Sequence, residues 1–84
     1  QISKGGITES SVDIRLIMRE AVTALATSMI LVHNHPSGNV SPSREDDRLT
    51  QKLAEAGKFL NITLQHHVIV GGGKYFSYRD EGKL

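Results

Sequence analysis

The sequence predicts an α/β fold, an α-β sandwich around a mixed sheet with element order β-α-β-α-β-β. Three observations lead there. Two segments carry apolar residues at helical spacing, and each opens on residues that cap helices. Runs rich in β-branched residues lie between and after them. A glycine triplet, Gly71 to Gly73, joins the last two extended runs as a hairpin.

Each element has its own signal. Residues 2–7 are expected to form a short edge strand. "TESSVD" supplies helix-start chemistry, with Ser11 or Asp13 as the N-cap. Ile14, Ile17, Met18, Ala21, Ala24 and Leu25 follow at i, i+3, i+4, i+7 spacing, which predicts a helix from Asp13 to Ala26. Ser28 to His33, "SMILVH", suits a central strand covered on both faces. Asn34 to Pro42 holds two prolines and Gly38 and reads as a loop. A second helix is predicted from Ser43 to Lys58. Residues 62–70, "ITLQHHVIV", predict a strand, and 74–78, "KYFSY", its hairpin partner, with Tyr75, Phe76 and Tyr78 packing a face.

Composition narrows the function. The chain has 84 residues, ten basic and nine acidic, for a net charge of +1. That is one domain with one small core, burying roughly 60–65% of the surface an unfolded chain exposes. The absence of a Lys/Arg run and the scarcity of aromatics argue against direct nucleic-acid binding by this region. No apolar stretch approaches the ~20 residues a bilayer span needs, so no membrane partner is expected. There is no cysteine, which excludes disulfides and thiolate metal sites. That fits a reducing compartment, and a cytoplasmic location is expected. "QISKGG" lacks a starting Met and a signal-peptide pattern, so residues 1–84 are expected to be a single, N-terminally truncated domain of a longer protein.

The chemistry concentrates between Leu31 and Asp47, "LVHNHPSGNVSPSREDD". In an extended chain, residues two apart point to the same side, with Cα atoms about 6.6 Å apart. His33 and His35 therefore project two imidazoles together. On the second helix, Leu60, Ala56, Leu53, Leu49 and Asp46 step backward by 4, 3, 4 and 3 along one stripe. Asp46, unlike Glu45 and Asp47, belongs to the inward face, where a carboxylate needs a partner or a metal. Two His and one Asp with an open position is a catalytic zinc pattern. The same residues read equally well as a helix start, with Ser43 as N-cap and Asp46 closing a capping box. On spacing alone, metal site and cap stand level. Both can hold if cap and ligand use different residues of the turn.

The string H-N-H-P-S-G-N-V-S-P-S-R-E-D, His33 to Asp46, resembles the H-x-H-P-x₆-S-x-x-D signature of the JAMM (MPN/JAB) metalloprotease domain. It is most similar to the bacterial RadC-like branch. That likeness extends over "ISKGGITES", "VDIRLIMREAVTALAT", "LTQKLAEAGKFLNI" and "YFSYRDEGKL", nearly the whole chain. The resemblance implies a cytidine-deaminase-like, JAB/MPN architecture whose first strand or strands lie outside residues 1–84. It implies Zn²⁺ as cofactor, with His33, His35 and Asp46 as ligands and Ser43 contacting the carbonyl oxygen of the tetrahedral intermediate. The implied reaction is hydrolysis of a peptide or isopeptide bond in a peptide or protein substrate.

Two departures from the family pattern matter. The water-activating glutamate of such domains is expected upstream of "ISKGG", outside this chain. Glu9, in the strand-to-helix connection, and Glu20, on the solvated side of the first helix, are not assigned that role. Without the base, catalysis by these residues alone would fall about 10²–10⁴-fold. The second departure is His66-His67, where RadC-like proteins usually carry Asp-His. His67 is either a buried, hydrogen-bonded strand histidine or a partner that orients a ligand imidazole. Two further function classes stand beside the hydrolase: a DNA repair-associated accessory protein, as RadC-like proteins are commonly labelled, and a non-catalytic metal-binding interaction module. A zinc deaminase is excluded, since that site needs cysteines.

Overall fold

The computed structural model describes residues 13–84 and the backbone of Ile7–Thr8. The elements are β1 (Ile7–Thr8), α1 (Ile14–Thr23), β2 (Ser28–Asn34), α2 (Arg44–Phe59), β3 (Thr63–Gly71) and β4 (Lys74–Ser77). The order is the β-α-β-α-β-β that the sequence predicts. The strands form one mixed sheet in the order β1-β2-β3-β4, the first three parallel and β4 antiparallel to β3. Ile7 pairs with His33, so β1 lies at the end of the expected 2–7 strand. Residues 2–6, Glu9 and the alternative cap Ser11 fall outside the described residues.

Both helices start where their caps place them. Asp13 caps α1 and accepts from the Arg15 backbone N–H at 2.9 Å. Ser43 caps α2 in a full capping box with Asp46. The end of α2 agrees with expectation within one residue, and the end of α1 does not. At the end of α1 the chain turns left-handed at Leu25 (φ +53°), and the Ala26 N–H closes onto the Ala21 carbonyl. Ala24 and Leu25 thereby leave the inward stripe and are exposed. After α2, Asn61 turns left-handed in the same way (φ +59°) and Leu60 is exposed, contrary to the stripe read from sequence. The buried positions of α2 are Asp46, Thr50, Leu53 and Gly57, a stripe of 4, 3 and 4 that drifts around the helix from the predicted one.

One core forms between the helices and a single sheet face. Ala21 of α1 and Leu53 of α2 pack with Met29 and Leu31 of β2 and with Ile62 and Leu64 at β3, and Ile14, Ile17, Met18 and Leu49 flank them. Among the described residues, β2 is covered on this face only. Met29, Leu31 and His33 point inward, while Ile30 on the other face is 45% exposed. This corrects the expectation of a strand covered on both sides. The strand alternates in strict period 2, and its apolar outward residues simply hide that alternation in the sequence.

β3 does not alternate evenly. Met29 pairs with Leu64 but Ile30 pairs with His66, so Gln65 is an extra residue, a β-bulge. The bulge shifts the inward phase from Leu64 to His67 and Ile69, all three buried. It thereby turns His67, and not His66, toward α2.

Candidate metal centre

Three segments deliver the site. The end of β2 brings His33, 1% exposed. The chain then extends by one more sheet bond, His35 N–H to the Val70 carbonyl at 2.9 Å, which keeps His35 in strand phase with His33. The first turn of α2 brings Asp46, also 1% exposed. His33, His35 and Asp46 are buried, and their ligand-type atoms all lie within 4.8 Å of one another. His33 Nδ1 is 3.1 Å from Asp46 Oδ1, and His35 Nε2 is 3.1 Å from Asp46 Oδ2. The imidazoles stand edge to face, with centroids 4.9 Å apart.

The hydrogen bonds fix how these groups are presented. His35 Nδ1 lies 2.7 Å from the Asn39 carbonyl oxygen. A carbonyl only accepts, so Nδ1 carries a proton, and in the neutral ring it is the Nε2 lone pair that faces Asp46. Two acceptors 3.1 Å apart, an imidazole nitrogen and a carboxylate oxygen, require a cation or a proton between them. A carbonyl holding the far nitrogen of a ligating imidazole is the usual support at metal sites. Two imidazoles and a carboxylate are also a donor set that zinc accepts. The group can therefore hold a metal ion.

Asp46 serves the cap and the cluster at once. Its Oδ2 accepts from the Ser43 backbone N–H at 2.7 Å, and its own N–H donates to Ser43 Oγ at 3.0 Å. Its Oδ1 faces His33. The N-cap is Ser43 and the candidate ligand is Asp46, different residues of the turn as expected, while the Asp46 carboxylate also closes the capping box on Ser43. Burial opposes the charged form of Asp46. Hydrogen bonding to Ser43, with the nearby His33 and His35, outweighs it and holds the carboxyl below the usual carboxylate range.

The loop between β2 and α2 is shaped by glycine. Gly38 has φ +86°, and its N–H closes a turn on the His35 carbonyl at 2.9 Å. Gly71, at the end of β3, lies directly beneath. A Cβ there would come within 2.7 Å of the His35 oxygen and 3.2 Å of the Gly38 Cα, both backbone atoms. The glycine triplet is thus more than a hairpin turn, since its first member lets the site loop lie against the sheet.

Ser43 and His67 take clear positions. Ser43 stands at the rim of the cluster as the α2 cap. His67 is fully buried, with Nδ1 2.6 Å from Thr50 Oγ1. The Thr50 hydroxyl donates to the Asp46 backbone carbonyl at 2.8 Å, so its oxygen accepts from His67 Nδ1–H. Nε2 of His67 has no hydrogen-bond partner among the described residues. Burial, then the neighbouring His33, push the His67 pKa down to about 4, so the ring is neutral at pH 7. Glu20 is exposed on α1.

Sequence reasoning did not identify Thr50, Asn39 or the role of Tyr78. Thr50 was accessible as the residue four after Asp46 on the same face. Asn39 acts through its main-chain carbonyl, which no side-chain pattern reveals. Tyr78 is buried and donates to Asp47 Oδ1 at 2.8 Å, whereas Tyr75, expected to pack beside it, is 66% exposed. No helix among the described residues is long and apolar enough to cross a membrane.

Comparison with known proteins adds an independent finding. A family profile described as RadC-like JAB domain matches residues 1–83. Among curated relatives, each named UPF0758 protein, one from Porphyromonas gingivalis is 51% identical over 84 residues, covering 99% of this chain and 37% of the relative. One from Streptococcus gordonii is 49% identical, over 95% of this chain and 35% of the relative. One from Methanosarcina mazei is 47% identical, over 96% and 35%. The chain spans little more than a third of the length of these relatives.

Proposed function

The chain belongs to the RadC-like JAB domain family, and on that premise we propose that it is the metal-holding part of a zinc-dependent hydrolase of the JAMM type, acting on a peptide or isopeptide bond. The observation that carries this reading is the buried Asp46 carboxylate facing two imidazoles, one of which has its other nitrogen held by a carbonyl. A buried carboxylate with two nitrogen donors is costly to build unless a cation completes it.

His33, His35 and Asp46 would hold the zinc, which when bound polarises an amide carbonyl and lowers the pKa of water toward ~7. The protein's own groups do the rest. Asp46 stays ionised because Ser43 hydrogen-bonds it, so the ligand set keeps its negative charge at neutral pH. Ser43 Oγ accepts the Asp46 N–H through a lone pair. Its O–H is left to donate to a carbonyl oxygen that gains charge in the transition state. Asn39 holds the His35 tautomer. As the family resemblance implies, the role of activating water is assigned to a glutamate of the complete protein outside residues 1–84; Glu20 is exposed on α1.

The test is amide hydrolysis by the complete protein in which this sequence occurs. It is loaded with zinc and offered a pool of quenched-fluorescence peptides and isopeptide-linked peptide pairs. Cleavage that His35→Ala abolishes supports the reading. Zinc binding with no cleavage above the His35→Ala level would restrict the chain to a non-catalytic metal-binding role.

A further inference from the structure

Three buried rings from three successive segments of the sheet lie in one column. His33 of β2 and His67 of β3 are parallel within 10°, with centroids 5.9 Å apart. His67 and Tyr78, just past β4, are parallel within 6° at 4.6 Å. These are offset-stacking separations. The three rings are 1%, 0% and 1% exposed.

Each ring is also tied to the first two turns of α2. His33 Nδ1 faces Asp46 Oδ1 at 3.1 Å. His67 Nδ1 meets Thr50 Oγ1 at 2.6 Å, and Thr50 donates to the Asp46 carbonyl. Tyr78 donates its hydroxyl proton to Asp47 Oδ1 at 2.8 Å. One helix end therefore anchors all three rings by their edges while their faces stack. The column has one end at the cluster, His33, and the other at the Tyr78–Asp47 bond.

We propose that His67 and Tyr78 are positioning residues that fix the plane of the His33 imidazole, with Thr50 as the clamp that ties this column to Asp46. The inference rests on the metal-binding reading above. A flat ring held on one face of His33 limits rotation about its last side-chain torsion, which is intrinsically broad. The lone pair directed at the cluster is then pre-oriented, as supporting partners of metal-ligating histidines commonly achieve by hydrogen bonding. Here stacking against His67 contributes to that orientation, and hydrogen bonds tie the column to the helix.

The test compares zinc affinity by equilibrium competition in the intact chain and in variants whose circular dichroism remains native. His67→Phe keeps a flat ring and His67→Leu keeps only apolar bulk. His67→Leu is expected to weaken zinc binding about 10–100-fold, with His67→Phe recovering most of that loss. Cobalt substituted for zinc should show a shifted visible ligand-field band in His67→Leu and a wild-type band in His67→Phe. Thr50→Val, nearly isosteric, is the variant to use if His67→Leu does not fold. It should weaken zinc about tenfold, and Thr50→Ser should restore it. Equal affinities for wild type, His67→Leu and Thr50→Val would overturn the inference and leave the metal-binding reading standing. Equal weakening in His67→Leu and His67→Phe would also overturn it. Failure of the wild-type chain to bind zinc would overturn the metal-binding reading, and the inference with it.

Discussion

His35 Nε2 faces Asp46 Oδ2 across 3.1 Å while the other nitrogen of the same ring donates to the Asn39 carbonyl. An imidazole nitrogen and a carboxylate oxygen meet in a buried place, and the surrounding chain is arranged to keep them there. The capping box, the glycine-shaped loop and the bulge in β3 each hold one part of that arrangement.

The charge of Asp46 and its capping role separate in one substitution. Asp46→Asn retains a side-chain oxygen to accept from Ser43 N–H, so the metal-free protein should lose no more than about 1 kcal/mol in urea unfolding. Zinc affinity should fall by more than about 100-fold, beyond the range seen for supporting partners alone. Retained affinity in Asp46→Asn would remove the carboxylate from the ligand set.

Ser43→Ala removes the cap oxygen but leaves the Ser43 backbone N–H on Asp46. The expected loss of stability is about 1 kcal/mol, read from the denaturant midpoint. In the hydrolysis assay on the complete protein, kcat should drop about 10²–10³-fold if the hydroxyl donates to the reacting carbonyl. Unchanged kcat would confine Ser43 to capping.

Gly71→Ala places a methyl against backbone atoms of His35 and Gly38, neither of which can swing away. The cost should be about 1–3 kcal/mol, the usual range for overpacking, and zinc affinity should fall with it because the His35 segment is displaced. Gly73→Ala is the control. It has open space around the new methyl and only a left-handed φ of +74° to strain it, so it should cost about 1–2 kcal/mol with zinc affinity unchanged.

The stability of the metal-free protein should depend on pH through His67. Its folded pKa, about 4, lies below the ordinary 6.5. Between these values the unfolded chain binds the proton and the folded one does not. The stabilisation is therefore complete above pH 6.5 and is lost as pH falls from 6.5 toward 4, by on the order of 3 kcal/mol. Urea midpoints from pH 7 to 4 should fall more steeply for wild type than for His67→Phe. Parallel profiles would contradict the assignment.

The sequence carries much of this arrangement, and the exceptions have physical causes. Helical phase alone separates Asp46 from Glu45 and Asp47, and the structure buries Asp46 and exposes its neighbours. Strand phase alone brings His33 and His35 to one side. The inward turn of His67 is not legible, because period 2 from Leu64 would face His66 inward and only the bulge at Gln65 reverses it. The exposure of Leu60 is hidden for a similar reason: the helical stripe looks continuous in sequence, but the chain leaves the helix after Phe59. Thr50 and Asn39 matter through a hydroxyl and a carbonyl whose partners lie on other elements, information that no local pattern contains.

The central claim is that His33, His35 and Asp46 form one metal site. Its most direct test is an equilibrium zinc titration of the intact chain beside His35→Ala, with stoichiometry from elemental analysis. The expected result is one zinc per chain, a rise in unfolding temperature with zinc, and loss of both in His35→Ala. Zinc-free wild-type protein after metal-replete purification, or a His35→Ala variant that binds zinc as wild type does, would contradict it.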